Sequence, residues 1–309
     1  MTPRPTVIDC DPGTDDAIAL WLALASPELD VRLISAVGGN VGLERTLANA
    51  RAIVALAGRD IPVVGGADRA LCGAFADAAH VHGDNGLGGL VLPAGPPAAP
   101  GLAADAIRDL LRAAPPRSVT LIGLGPATNL GLVFATEPAL ADRVAEIVLM
   151  TGAAGEGNAT ASAEFNAWND PEALAIVLAA GAPVTLATLD VTHQALCRPA
   201  HIAALRAAGG GACLDAAARI WEAVRPSRRS GGQGHEQHDA CAVAWLVAPD
   251  LFSHVSVLAE VDCGPGLCRG RTVIDRWRRH GRAANARLLE TLDAARFFAL
   301  LTARLATLP

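Results

Sequence analysis

Four carboxylates fall within eight residues near the start of the chain, in Asp9-Cys-Asp11-Pro-Gly-Thr-Asp15-Asp16. Two like charges about 6 Å apart repel by roughly 3 kcal/mol at an effective dielectric of about 20, so such a group needs protons or a cation among its members. A bound divalent metal is the simplest relief. Asp15 and Asp16 alone would be ordinary charges in the first turn of a helix, where they favour its dipole. Four carboxylates around a Pro-Gly turn at the C-terminal end of a strand point to a metal site instead.

Other segments carry chemistry with less specificity. His235-Glu-Gln-His238-Asp239 is one residue short of the H-E-x-x-H zinc pattern, so a metalloprotease fails on spacing. His238 and Asp239 nonetheless lie where a glycine-rich segment, 231–234, runs into the apolar stretch Ala240 to Ala248, a place for a gated acid and a metal ligand. Asn158 to Asn166, with Glu164-Phe165-Asn166, offers amides and a carboxylate suited to hydroxyl groups, or simply a helix N-cap. His80-Val-His82-Gly83-Asp84-Asn85-Gly86 is a turn or an active-site flap. Gly123-Leu-Gly125-Pro-Ala-Thr128 lacks the third glycine of a dinucleotide fingerprint, which leaves close packing of strand against helix, or a carbonyl facing a metal.

The elements that must position these residues alternate. Val/Ile-rich runs at Thr6 to Ile8, Val31 to Val37, Ile61 to Val64, Val119 to Ile122, Ile147 to Met150 and Val184 to Ala187 read as strands. Between them Leu43 to Ala57, Ala103 to Ala113, Asn129 to Ala135 and Pro171 to Ala180 read as helices, and an amphipathic helix follows Asp15-Asp16 and stops before Pro27. This predicts an α/β fold, a mostly parallel central sheet flanked by helices on both faces, in one domain spanning 1–309. Ligands of such sheets sit beyond the carboxyl ends of the strands, where Asp11, Asn40, Leu124 and Thr151 fall.

Composition narrows the chemistry. Every residue in the Lys+Arg count of 25 is arginine, which excludes Schiff-base and P-loop lysine mechanisms. The net charge of −6 disfavours a nucleic-acid partner, so a small-molecule substrate is expected. Seven cysteines, an odd number without a C-x-x-C pair, argue against a disulfide framework or structural zinc. No apolar run long enough for a membrane span and no apolar leader precede the first strand, so a cytoplasmic location is expected.

Taken together, the chain resembles the inosine-uridine nucleoside hydrolase family. The resemblance rests on Asp9-x-Asp11-Pro-Gly-x-Asp15-Asp16, then in order Val37-Gly-Gly-Asn40, His82-Gly83, Gly125-Pro126-Ala-Thr-Asn129, Asn158 with Glu164-Phe-Asn166, Leu189-Asp-Val-Thr192 and His238-Asp239. It implies a Rossmann-like nucleoside hydrolase fold and a homodimer or homotetramer. It also implies Ca²⁺-dependent cleavage of the N-glycosidic bond of purine or pyrimidine ribonucleosides through an oxocarbenium-like transition state. Carried over, Ca²⁺ would be held by Asp11, Asp16, Asp239 and the backbone carbonyl of Leu124, with water and two ribose hydroxyls completing an all-oxygen shell.

The same resemblance makes Asp11 the general base for the attacking water and Asn40 the group that orients both. Asp15 and Asn166 would bond the 2′-hydroxyl, Asn158 and Glu164 the 3′/5′ side, and Asp9 would support the cluster. His238 would protonate or polarise the leaving base, with His82 and Phe165 lining the pocket. Where many relatives carry tyrosines before the His-Asp pair, this chain has Ile220-Trp221-Glu222 and Arg225, which leaves the base preference open. A haloacid-dehalogenase-type phosphatase also starts with strand-Asp-x-Asp but uses a lysine absent here. A non-enzymatic nucleoside- or ribose-binding protein would need neither Asp11 nor His238.

Overall fold

Strands buried on both sides read as unbroken apolar runs, and their successive side chains then serve opposite faces. In the computed structural model, which describes residues 2–279 and 281–309, Val7, Leu33, Leu121 and Ile147 join one core cluster. Their neighbours Ile8, Ile34, Ile122 and Val148 join the other. The strands are β1 (Arg4–Cys10), β2 (Leu29–Ala36), β3 (Val63–Gly65), β4 (Val119–Gly123), β5 (Val144–Met150), β6 (Val184–Ala187), β7 (Leu196–Cys197), β8 (His235–Glu236), β9 (Phe252–Val261), β10 (Thr272–Asp275) and β11 (Ala286–Leu292). Nine of them form one sheet in the order β10-β9-β11-β6-β5-β4-β1-β2-β3, while β7 and β8 make a separate antiparallel pair. Only β9 runs against its neighbours, β10 and β11. The fold is therefore a single-domain α/β architecture with a mostly parallel sheet and helices on both faces, as the alternation of runs predicts.

The run β3-β2-β1-β4-β5-β6 is the doubly wound order, in which connections leave β1 to one side and enter β4 on the other. A crevice opens between the loops after β1 and β4, and the Leu124 N–H bonds back to the Asp9 carbonyl at 2.8 Å to set those loops side by side. Asp11 and Leu124 meet there.

The helix Thr14–Ala25 departs from the amphipathic expectation. Ten of its twelve residues are buried, because it lies over the sheet and is covered in turn by the helix His238–Val247. Its Ala/Leu composition suits a helix wrapped on all sides. The helix read from the sequence as Asn129 to Ala135 spans Thr128–Thr136, with Pro126 just before its start. Among the described residues no helix is long and apolar enough to cross a membrane.

Helix packing on the opposite face depends on one glycine. A Cβ at Gly131 would fall 2.8 Å from the Ala173 Cβ and 2.9 Å from its Cα, so the helices Thr128–Thr136 and Pro171–Ala179 touch backbone to backbone. Gly131→Val is expected to destabilise the protein by about 3 kcal/mol through overpacking, read as a lowered denaturant midpoint with unchanged slope.

Candidate active site

β1 ends at Cys10, the Pro12-Gly13 turn follows, and the next helix begins at once, so the acidic cluster is held between two rigid elements. Asp16 reaches back over the turn: its Oδ2 accepts from the Gly13 N–H at 2.9 Å and its Oδ1 from the Asp11 N–H at 3.2 Å. This is the ordinary helix-start role, and Asp16 also receives the Asn40 side-chain amide at 3.0 Å. Asn40 grips Asp11 as well, donating its backbone N–H to Oδ2 at 2.7 Å and its amide to the Asp11 carbonyl at 3.2 Å.

Two glycines clear the space for Asp11. A Cβ at Gly39 would lie 2.1 Å from Oδ2 and one at Gly125 would lie 2.6 Å from Oδ1. Gly123, in contrast, is a packing position, with Leu149 Cδ2 2.7 Å from where its Cβ would be. Asp9 lies off the cluster, its Oδ1 accepting from Ser35 Oγ at 2.6 Å and Asn129 Nδ2 at 2.8 Å.

One oxygen each from Asp15, Asp16 and Asp239 lies within 4.8 Å of the others. Asp239 arrives from the first turn of the helix His238–Val247. The sequence nominated Asp11, Asp16 and Asp239; the convergent triple has Asp15 in place of Asp11, which stands beside it fully buried. Burial pushes the carboxyl groups of Asp11, Asp16 and Asp239 upward, that of Asp16 to about 7, and the neighbouring aspartates push further. Among the described residues no arginine bonds any of the four, and Asp11 Oδ1 is buried with no partner. Buried, convergent and uncompensated oxygen donors fit a hard divalent cation.

Above this floor opens a cavity of about 840 Å³. Its walls include Asp15, Asn40, His82, Leu124, Asn158, Glu164, Phe165, Asn166, His238 and Asp239, so the nominated residues gather at one place, with Asp11 and Asp16 beneath. Glu164, Asn166 and Asn158 are already partly engaged. Glu164 caps the helix Phe165–Asn169, accepting from the N–H groups of Asn166 at 2.9 Å, Ala167 at 3.0 Å and Gly152 at 2.8 Å. Asn166 donates its amide to the carbonyls of Leu124 at 2.7 Å and Met150 at 3.1 Å, which leaves its side-chain oxygen as the available group. Asn158 accepts from the Phe165 N–H at 2.9 Å and keeps its NH₂.

Two histidines flank the rim. His82 Nδ1 accepts from the Thr14 N–H at 3.1 Å and lies 2.9 Å from the Thr14 hydroxyl, so the ring proton belongs on Nε2. Burial lowers the His82 pKa more than Asp15, 4.0 Å away, raises it, and the ring is neutral. His238 Nδ1 is 2.7 Å from Thr192 Oγ1, leaving Nε2 free. Thr14 and Thr192 were given no role from sequence, although both fall inside the motifs: a hydroxyl that steers an imidazole becomes visible only once the fold places it. His235, also unassigned, lines the same cavity. Trp221 is turned into the core, 1% exposed, with its Nε1 donating to Gln237 Oε1 at 2.9 Å.

The chain is similar to known proteins over nearly its whole length. Residues 6–299 match the family model described as inosine-uridine preferring nucleoside hydrolase. The chain is 41% identical to a pyrimidine-specific ribonucleoside hydrolase, RihA, of Klebsiella pneumoniae, covering 98% of both chains. It is 40% identical to the RihA of Shewanella woodyi over 98% of both. Among solved structures, a purine-preferring ribonucleoside hydrolase from Gardnerella vaginalis superposes with a TM-score of 0.91 at 30% identity, covering 98% of both chains. A plant nucleoside hydrolase, PpNRh1, gives 0.90 at 29% identity over 98% of this chain and 99% of that one. With an acidic floor beneath a cavity at the sheet's switch point and a family match across nearly all of its length, the chain belongs to the inosine-uridine preferring nucleoside hydrolases and is an enzyme of that class.

Proposed function

We propose that the enzyme hydrolyses the N-glycosidic bond of pyrimidine ribonucleosides, releasing ribose and the free base, with Ca²⁺ at the acidic floor. The observation that carries this is the set of buried carboxylates without a counter-cation, directly under a cavity flanked by two histidines. Asp11, Asp16, Asp239 and the Leu124 carbonyl would hold the ion, and Asp15, whose oxygen converges with two of them, is positioned to share it or the ribose hydroxyls. When bound, Ca²⁺ supplies the charge that keeps these carboxylates ionised and acidifies a water molecule.

The side chains do the rest. Asp11, aimed by Asn40 and walled by two glycines, takes the proton of the attacking water. As the bond to C1′ breaks, positive charge develops on the sugar, and the carboxylates below stabilise it. The Asn166 oxygen, the Asn158 amide and Asp15 bind the ribose hydroxyls, with Glu164 fixing the turn that presents them. His238 donates from Nε2 to the departing base and Phe165 walls the pocket. Pyrimidine preference is supported by the higher identity to RihA proteins than to the purine-preferring structure. It is also supported by Trp221, which packs in the core instead of offering a stacking face to a purine. A phosphatase is disfavoured by family membership and by an acidic floor that repels phosphate.

The test is reducing-sugar release from uridine, cytidine and inosine with and without chelator. Uridine and cytidine are expected to be cleaved fastest and chelation to abolish release; no ribose from any nucleoside would overturn the proposal. A finer prediction concerns Thr192→Val, which removes the hydroxyl holding His238 Nδ1. It is expected to lower kcat by about 10-fold, part of the roughly 10²- to 10⁴-fold of a general acid, with KM little changed. Steady-state kinetics on uridine checks this.

A further inference from the structure

His235 lies in β8, three residues before His238, and pairs across the short ribbon with Cys197. It lines the active-site cavity yet is only 6% exposed, and its Nε2 is buried without any hydrogen-bond partner. An unpaired imidazole nitrogen in a buried position costs free energy comparable to a lost hydrogen bond, so its retention calls for a partner that arrives with a ligand. The backbone of its strand is occupied: the Gln237 N–H bonds to the Ala195 carbonyl at 3.0 Å, and a Cβ at Gly234 would lie 2.0 Å from the Cys197 carbonyl oxygen. His235 is thus held rigidly in the cavity lining, within electrostatic reach of His238.

Resting on the ribonucleoside hydrolase reading above, we infer that His235 recognises the leaving pyrimidine by donating a hydrogen bond to a ring carbonyl oxygen. Burial lowers its pKa, so the ring is neutral and offers one donor and one acceptor nitrogen. A carbonyl oxygen of uracil or cytosine gains negative charge as the glycosidic bond breaks, and a donor fixed beside it bonds more strongly in the transition state than in the ground state. His235 is then a specificity residue on the base, separate from the proton donor His238. A base without a carbonyl gains nothing from it.

The experiment compares wild type with His235→Phe, which keeps ring size and removes the nitrogens, and with His235→Gln, which restores a donor. Substrates are uridine, cytidine and 4-nitrophenyl β-ribofuranoside, whose leaving group has no ring carbonyl. In His235→Phe the ratio of kcat on uridine to kcat on the nitrophenyl riboside is expected to fall about 10- to 100-fold, with part of the ratio regained in His235→Gln. A ratio within twofold of wild type overturns the inference. If wild type cleaves neither substrate type, it is the functional reading that fails. Should His235→Phe not fold, wild type labelled with ¹⁵N-histidine is titrated with uracil: a shifted His235 ring resonance supports the role, and an unmoved one overturns it.

Discussion

Asp11→Asn is expected to lower kcat on uridine by about 10³-fold or more while leaving the metal-free protein at least as stable as wild type. The two halves have one cause. Asp11 is fully buried, receives only the Asn40 N–H on Oδ2 and has no partner for Oδ1, while Asp16 and Asp15 add repulsion. An amide of the same shape keeps the Asn40 bond, fits between Gly39 and Gly125, and carries no charge. It therefore relieves the folded state, yet it can neither accept a proton from water nor hold a cation with a full negative charge. Kinetics together with a thermal melt in chelator separates this outcome from a damaged fold. Turnover within tenfold of wild type would falsify the assignment of Asp11 as base.

That position was legible because its chemistry is local. Strand, Pro-Gly turn and helix start follow one another in the sequence, so Asp9, Asp11, Asp15 and Asp16 are neighbours in any structure that forms these elements. A sheet covered on both faces was readable for a similar reason: consecutive apolar pairs such as Val7-Ile8 and Ile147-Val148 divide between two cores only in a strand buried on both sides. The β6 span Val184–Ala187 and the helix Ala103–Ala113 are observed with the limits their patterns predict.

The remainder depends on contacts distant in sequence. The helix Thr14–Ala25 looked amphipathic because its sequence could not reveal that the helix His238–Val247 would cover its outer side. β9, β10 and β11 carry polar residues among their apolar ones, a weaker signal than an apolar run, and they extend the sheet beyond β6 with β9 antiparallel to its neighbours. Thr192 steers His238 from 46 residues away and Thr14 steers His82 from 68. Glu164 shows both influences: its N-cap role is a local rule, whereas its place on the cavity wall comes from β5 and β4 bringing Gly152 and Leu124 to the same rim.

Removing and restoring the metal is expected to shift thermal stability in opposite proportion to protons. In the metal-free protein burial pushes Asp16 and Asp9 to about 7, from the ordinary 3.8 of an aspartate, and Asp11 and Asp239 also rise. Between those values the folded state holds protons that the unfolded chain has released, so stability is greatest at low pH and falls as pH rises through the window. Chelated protein should therefore melt at a higher temperature at about pH 5 than at about pH 7.5. Ca²⁺ takes the place of protons on Asp11, Asp16 and Asp239, and its effect is largest where those protons are absent. At a concentration about 1,000 times its Kd it adds roughly 4 kcal/mol, or about 8 °C at some 2 °C per kcal/mol for a chain of this size. That increment should appear at about pH 7.5 and shrink at about pH 5, because at the lower pH each ion must displace protons. An equal increment at both values, or none at either, would show that the four carboxylates are balanced by something other than a cation.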